Sequence, residues 1–225
     1  MDRCILAATD GQPHSLAALR CASDLANRLS LALEIVSVCE PAAVFGYESV
    51  DLVAGVVDEL AALALSERRS AVEAQCATAG VSPDAVHVEI GSPATVITRR
   101  AADRRARLIV VGREGHGPLD RVLRDETALR LMQSAHTPVM SVPHDYAALP
   151  SRIVAAVDFT SYSLDAAQCA LGVLRPGSEL HVVHVNAEFA ETAENREERP
   201  LRALRPLRCT SWTTVLIHRI RSTRA

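Results

Sequence analysis

Few residues in this chain have the type and spacing to do chemistry. Gly112-Arg113-Glu114-Gly115-His116-Gly117 places three glycines within six positions directly after an apolar run. Such a loop lets backbone approach a phosphate closely and offer it N–H groups. Asp10 closes a second apolar run, RCILAAT, and is followed by Gly11. All 24 basic residues are arginine, so Schiff-base chemistry, pyridoxal phosphate attachment and a P-loop lysine are excluded. The eight histidines show no HxH or HExxH spacing. His181 and His184 lie three apart on an expected strand and point to opposite faces, so no metal site is expected. Ser37, Ser141 and Thr160 have no GxSxG context or nearby base, so no hydrolase triad and no catalytic residue is assigned.

These residues must be positioned by alternating strands and helices. Residues 3–9 are nearly continuous apolar sequence, as a strand covered on both faces requires. Asp10-Gly11-Gln12-Pro13 breaks it, and Leu16, Leu19, Ala22 and Leu25 then recur at helical spacing over 14–29. A strand at 32–38 follows, then a long helix over about 50–79 with Leu52, Val56, Leu60, Leu63 and Val72 assigned to one side. Strand 85–90, the turn Gly91-Ser92-Pro93, helix 93–104, strand 107–111, the glycine loop, helix 126–135 and strand 138–142 complete the pattern. The alternation predicts a doubly wound five-stranded parallel sheet with helices on both faces. In such a sheet ligands bind beyond the carboxyl ends of the strands, where the winding reverses. If strand four returns beside strand one, Asp10 and the Gly112 loop meet at that point.

After a linker at 143–151, residues 152–186 repeat the first forty. ILAATDG aligns with IVAAVDF, and EIVSVCE with HVVHVNA, without a gap. The copy then stops, so a truncated second domain is expected at 152–186. It carries Asp158 but Phe159-Thr160 in place of Gly-Gln, and no glycine loop. Residues 187–225 read as an irregular Arg-rich tail. The net charge of −3 combines a tail of +7 over 199–225 with a body of −10. Two strands and one helix are too small to sustain a core alone. They are expected either to dock, against the strand at 138–142 for example, or to be partly unfolded.

Composition bounds the rest. With 48% hydrophobic and 23% charged residues the chain is globular, and with 3% aromatics its core is aliphatic and offers few stacking platforms for single-stranded nucleic acid. The six cysteines form no CxxC pair. No signal sequence or apolar run of membrane-spanning length is read, and a reduced, cytoplasmic setting is expected.

The strand-Asp10-Gly11 element, the Gly91-Ser92-Pro93 turn and RLIVVGREGHGPLDRVLRDETALRLMQSAHTPVMSV resemble the universal stress protein family. The resemblance covers 1–143, with 152–186 as the start of a second copy, which makes the chain similar to a tandem member. It implies an adenine-nucleotide alpha-hydrolase-like fold, a crevice for ATP or AMP and a stress-response role. It also implies a homodimer, or intramolecular domain pairing, through the 138–142 strand. Nucleotide-binding members show Gly-x2-Gly-x9-Gly-Ser/Thr. The aspartate after strand one and main-chain groups near the end of strand two hold adenosine there. The positions implied here are Asp10, Val38, Val111, Gly112 and Gly115. The SGGxDS loop of related synthetases is absent from the Asp10 turn, which argues against adenylating chemistry.

The last pair of that pattern is replaced by Asp125 and Glu126. At an effective dielectric near 20 and about 4 Å, each like-charge contact with a phosphate costs on the order of 4 kcal/mol, roughly three decades of affinity. Asp125 also falls at the N-cap of the next helix and Glu126 in its first turn, so the helix fills its own anion site. Thr127 brings a hydroxyl one residue late, rotated about 100° away. The expectation is a non-catalytic stress-response protein with an adenosine crevice and an impaired phosphate half. Two alternatives stand beside it: an ATP or AMP sensor in which Mg2+ bridges Asp125 and Glu126 to the phosphates, and a pure dimerisation or interaction module. Nucleic acid and membrane are not expected partners.

Overall fold

The computed structural model describes residues 3–41, 54–113, 126–158, 160–172 and 177–183. Contacts divide the chain into two compact units, Met1–Ala148 and Leu149–Ala225.

The first unit runs β1 (Cys4–Ala8), a 3-10 turn (Pro13–Ser15), α1 (Leu16–Leu29), β2 (Ala32–Cys39), α2 (Ala54–Ala79) and β3 (Ala85–Ile90). It continues with α3 (Pro93–Asp103), β4 (Leu108–Arg113), α4 (Glu126–Ser134) and β5 (Val139–Pro143). The five strands are parallel in the order β3-β2-β1-β4-β5, with Ala8 level with Val36 on one side and Val111 on the other. The expected doubly wound sheet is therefore present, and the winding reverses between β1 and β4.

The apolar strands alternate between two helical layers. Leu6, Ala8, Val36, Ile109, Val111 and Val139 pack against Val96, Ile97 and Ala101 of α3 and Ala128 and Leu131 of α4. The opposite face meets α1 and α2, and Leu19, Ala22 and Leu25 are fully buried as their spacing predicts. Complete burial of a leucine side chain stabilises by about 1.5–3 kcal/mol, so these three positions alone make α1 a core helix.

One helix face departs from expectation. Val72 is fully buried, whereas Val56, Leu60 and Leu63 are 43%, 37% and 54% exposed; Leu52 lies outside the described residues. At 100° per residue Val72 stands about 120–180° around the helix from those three, so they never shared its side. The buried face is instead set by Val72, Gln75 and Cys76, at i, i+3 and i+4.

In the second unit β6 (Arg152–Ala156), α5 (Ser161–Gly172) and β7 (Glu179–Val183) form a two-stranded parallel βαβ. Ile153, Ala155 and Val157 are buried while Val154 is half exposed, the alternation of a sheet covered on one face. Asp158 accepts the Thr160 N–H at 3.1 Å and its hydroxyl at 2.6 Å. These bonds, with Ser163, hold its carboxyl down at about 2. His184 and the tail at 187–225 lie outside the described residues.

Candidate functional site

The loop after β1 is built around one buried hydrogen-bond network. Thr9 Oγ1 donates to Gln75 Oε1 at 2.7 Å and lies 2.7 Å from Ser15 Oγ. Gln75 Nε2 in turn donates to Ser15 Oγ at 2.7 Å and to the Gln12 carbonyl at 2.5 Å. Thr9, Ser15 and Gln75 are all buried, so these bonds satisfy groups that would otherwise be stranded away from water. Helix α2 reaches the loop a second time, through Arg68 Nη1, which donates to the Asp10 carbonyl.

Asp10 stands on this platform. Its Oδ1 accepts the Gln12 N–H at 3.0 Å and the Ser15 hydroxyl at 3.1 Å, and its Oδ2 faces His14 Nε2 at 3.2 Å. The carboxylate thus organises the turn that leads into α1, as an Asx turn does. Gly11 takes φ +81°, a conformation only glycine adopts without strain. The Asp10 side chain is still 46% exposed, and an ionised carboxylate has about four lone-pair sites, so part of its acceptor capacity still faces solvent.

Gly112 lies within β4, opposite Val142, and not in the loop where the sequence reading placed it. A Cβ there would stand 3.1 Å from Ser15 Cα and 3.3 Å from Ser15 Cβ. The close approach of β4 to the 3-10 turn therefore explains the glycine without any ligand. Val111 is buried in the core and Val38 packs at its margin, so neither side chain is available; what each can offer is main chain.

For Val38 that main chain has a definite direction. The Val36 carbonyl accepts the Thr9 N–H at 3.0 Å, and the Cys39 carbonyl accepts the Gly91 N–H at 2.9 Å. Even-numbered residues of β2 therefore face β1 and odd-numbered ones face β3. Val38 N–H and C=O point toward β1 at a level where β1 has already ended, at Ala8. They border the same space as Asp10.

Of the six residues assigned from sequence, the structure brings Asp10, Val38, Val111 and Gly112 to the carboxyl end of the sheet, at the switch between β1 and β4. Thr127 is the second residue of α4 and half-buried. Gly115 and Asp125 lie outside the described residues, and Glu126 is the first residue of α4. Sequence reading missed Thr9, Ser15, Arg68 and Gln75. The available signal was Gln75, an amide set into the i, i+3, i+4 buried face of an otherwise apolar stripe.

Nothing in the described thiols suggests nucleophilic chemistry. Burial pushes Cys4 up to about 11 and Cys21 up to about 12, far from the thiolate range.

A doubly wound α/β sheet with main chain and one carboxylate converging at its switch point defines an open-sheet crevice protein. The particular family follows from sequence: the Universal stress protein family profile matches residues 1–143, and the chain belongs to that family. The chain is also similar to solved structures. A universal stress protein from Archaeoglobus fulgidus in complex with dAMP is 19% identical, covering 62% of this chain and 97% of its own, with a TM-score of 0.40. UspA from Lactobacillus plantarum is 24% identical over 62% and 97%, with a TM-score of 0.45. A universal stress protein in complex with cAMP is 23% identical over 63% and 97%, with a TM-score of 0.44. No curated protein matches the chain.

Proposed function

We propose that this chain is a non-catalytic stress-response protein whose crevice takes the adenosine part of a nucleotide and holds phosphate poorly. The observation that supports it most is the Val38 main chain, which points past the end of β1 beside the half-exposed Asp10. One donor, one acceptor and one carboxylate are the complement an adenosine needs for its base edge and ribose hydroxyls. Val111 and Gly112 line the opposite side in this reading, and in sequence Asp125 and Glu126 replace the Gly-Ser/Thr pair that follows Gly115 in the family's phosphate pattern.

The chain would work in the cytoplasm as one domain at 1–143, a partial second copy at 152–186 and an Arg-rich tail. Among the described residues no helix is long and apolar enough to cross a membrane. Strand β5 is paired on one side only among the described residues. An edge of that kind favours association, with a second copy of the chain or with the second unit.

Calorimetry with adenosine, AMP and ATP tests the ligand assignment. Adenosine is expected to bind at least as tightly as ATP in the absence of metal. Tight ATP binding without metal, alongside no adenosine binding, refutes the proposal. Tight ATP binding only with Mg2+ replaces it with the metal-bridged sensor. The variant Asp125→Gly with Glu126→Ser should strengthen ATP and leave adenosine unchanged.

A further inference from the structure

Away from the crevice, helix α3 is fastened to the β2–β3 side of the sheet by charges and not only by its apolar face. Glu34 of β2 is buried, with a side chain 1% exposed, and its Oε1 accepts from Arg104 Nε at 2.7 Å. Arg99 of α3 pairs with Glu89 of β3. Between these two pairs stands His87 of β3. Its Nε2 lies 3.4 Å from Glu34 Oε2, and the Arg100 guanidinium lies against its ring nitrogens. The charged groups facing the imidazole are thus Glu34 from β2, Glu89 from β3, Arg100 from α3 and Arg104 at its C-cap.

A guanidinium only donates, so at least one of the two ring nitrogens against Arg100 must accept and carry no proton. A neutral imidazole keeps one such acceptor in either tautomer, and Arg100 lies against both ring nitrogens. The doubly protonated ring has none. It sets N–H groups against the Arg100 N–H groups and adds a cation beside that guanidinium.

We propose that His87 is an acid-sensitive bolt, which holds α3 to the sheet while its imidazole is neutral and loosens α3 when the imidazole takes a proton. Pairing with Glu34 alone would favour the charged ring. Burial first, and the Arg100 charge second, outweigh that pairing and hold the imidazole below its ordinary value of 6.5. The sign follows from linkage. An unfolded or released His87 takes its proton near 6.5, and the docked one only at lower pH. The stabilisation is therefore complete above 6.5 and is lost as pH falls below it. The released element matters because α3 supplies Val96, Ile97 and Ala101 to the core that it shares with α4. The proposal rests on this packing alone and is independent of whether a nucleotide binds.

Amide hydrogen exchange on the full chain at pH 7.5 and pH 5.0, expressed as protection factors, tests it. Residues 93–103 should lose protection at pH 5.0 relative to α1, because the released imidazole takes up a proton that the docked one does not. His87→Gln keeps an acceptor for Arg100 and a donor for Glu34 but does not titrate. It should remove most of that loss, and since Glu34 is common to both proteins the difference isolates the histidine. Equal α3 protection at both pH values, or an equal loss in His87→Gln, overturns the proposal. Should that variant fail to fold, the imidazole titration of the unaltered chain by NMR decides. A midpoint below 6.5 that coincides with α3 exposure supports the bolt, and a midpoint at or above 6.5 refutes it.

Discussion

Replacing Gln75 by leucine should detach the Asp10 loop from helix α2. Three hydrogen bonds disappear: Thr9 Oγ1 to Gln75 Oε1, and Gln75 Nε2 to Ser15 Oγ and to the Gln12 carbonyl. None of the three partners is left wholly unpaired. Thr9 and Ser15 retain each other at 2.7 Å, and the Gln12 carbonyl retains the Ser15 N–H at 3.1 Å. The appropriate charge per bond is therefore the net value of about 1 kcal/mol and not the full desolvation penalty, which gives about 3 kcal/mol. The added apolar burial of leucine offsets about 1 kcal/mol, leaving a loss of about 2 kcal/mol. With a urea slope near 2 kcal/mol/M the midpoint should fall by about 1 M. Gln75→Glu should cost more at neutral pH, since a buried carboxylate opposes the Gln12 carbonyl, and should recover as acid neutralises it. A Gln75→Leu midpoint within about 0.2 M of the parent, or a Gln75→Glu penalty that does not ease in acid, refutes the network as the support of the loop.

Two further substitutions test neighbouring claims. Gly112→Ala sets a Cβ 3.1 Å from the backbone Cα of Ser15 and should cost about 1–3 kcal/mol by overpacking; an unchanged thermal midpoint would show that β4 and the 3-10 turn part easily. Asp158 has its carboxyl held at about 2, against an ordinary 3.8, first by the Thr160 hydroxyl and then by Ser163. Its support for α5 is therefore complete above 3.8 and is lost as pH falls toward 2, and an acid titration of helix content should show that step in the parent and not in Asp158→Ala.

The sheet was legible because each strand is a short apolar run bounded by a turn residue, and each helix but one carries its apolar stripe in register. Strand β3 occupies the expected 85–90 without shift. The exception, α2, was misread because Val56, Leu60 and Leu63 make a regular stripe of their own, which periodicity cannot distinguish from a buried one. The end of β4 was misread for a different reason. Gly112 looks like a loop residue in sequence, yet its role is to let a strand pass close to Ser15, and that contact joins positions 97 residues apart. The α2 clamp was equally out of reach, since Gln75 meets Thr9 across 66 residues, and the bolt at His87 depends on three elements that only the fold assembles.

The same contrast governs how the crevice residues should be weighed. Gly11 is required by a positive φ and Gly112 by Ser15, so both glycines would be needed in a protein that binds nothing. Asp10 is partly committed to the turn as well, since its two oxygens hold Gln12, Ser15 and His14. Motif residues of this kind report the construction of the loop first and a ligand only second. Val38 differs, because the strand it should pair with has stopped and its side chain contributes only at the margin of the core. Strand alternation aims its donor and acceptor past Ala8, into the space beside Asp10. A substitution cannot remove a main-chain group, which is why the discriminating experiment is a comparison of ligands. Adenosine against its phosphorylated forms tests the proposed division into a base-binding half and a phosphate half impaired by Asp125 and Glu126.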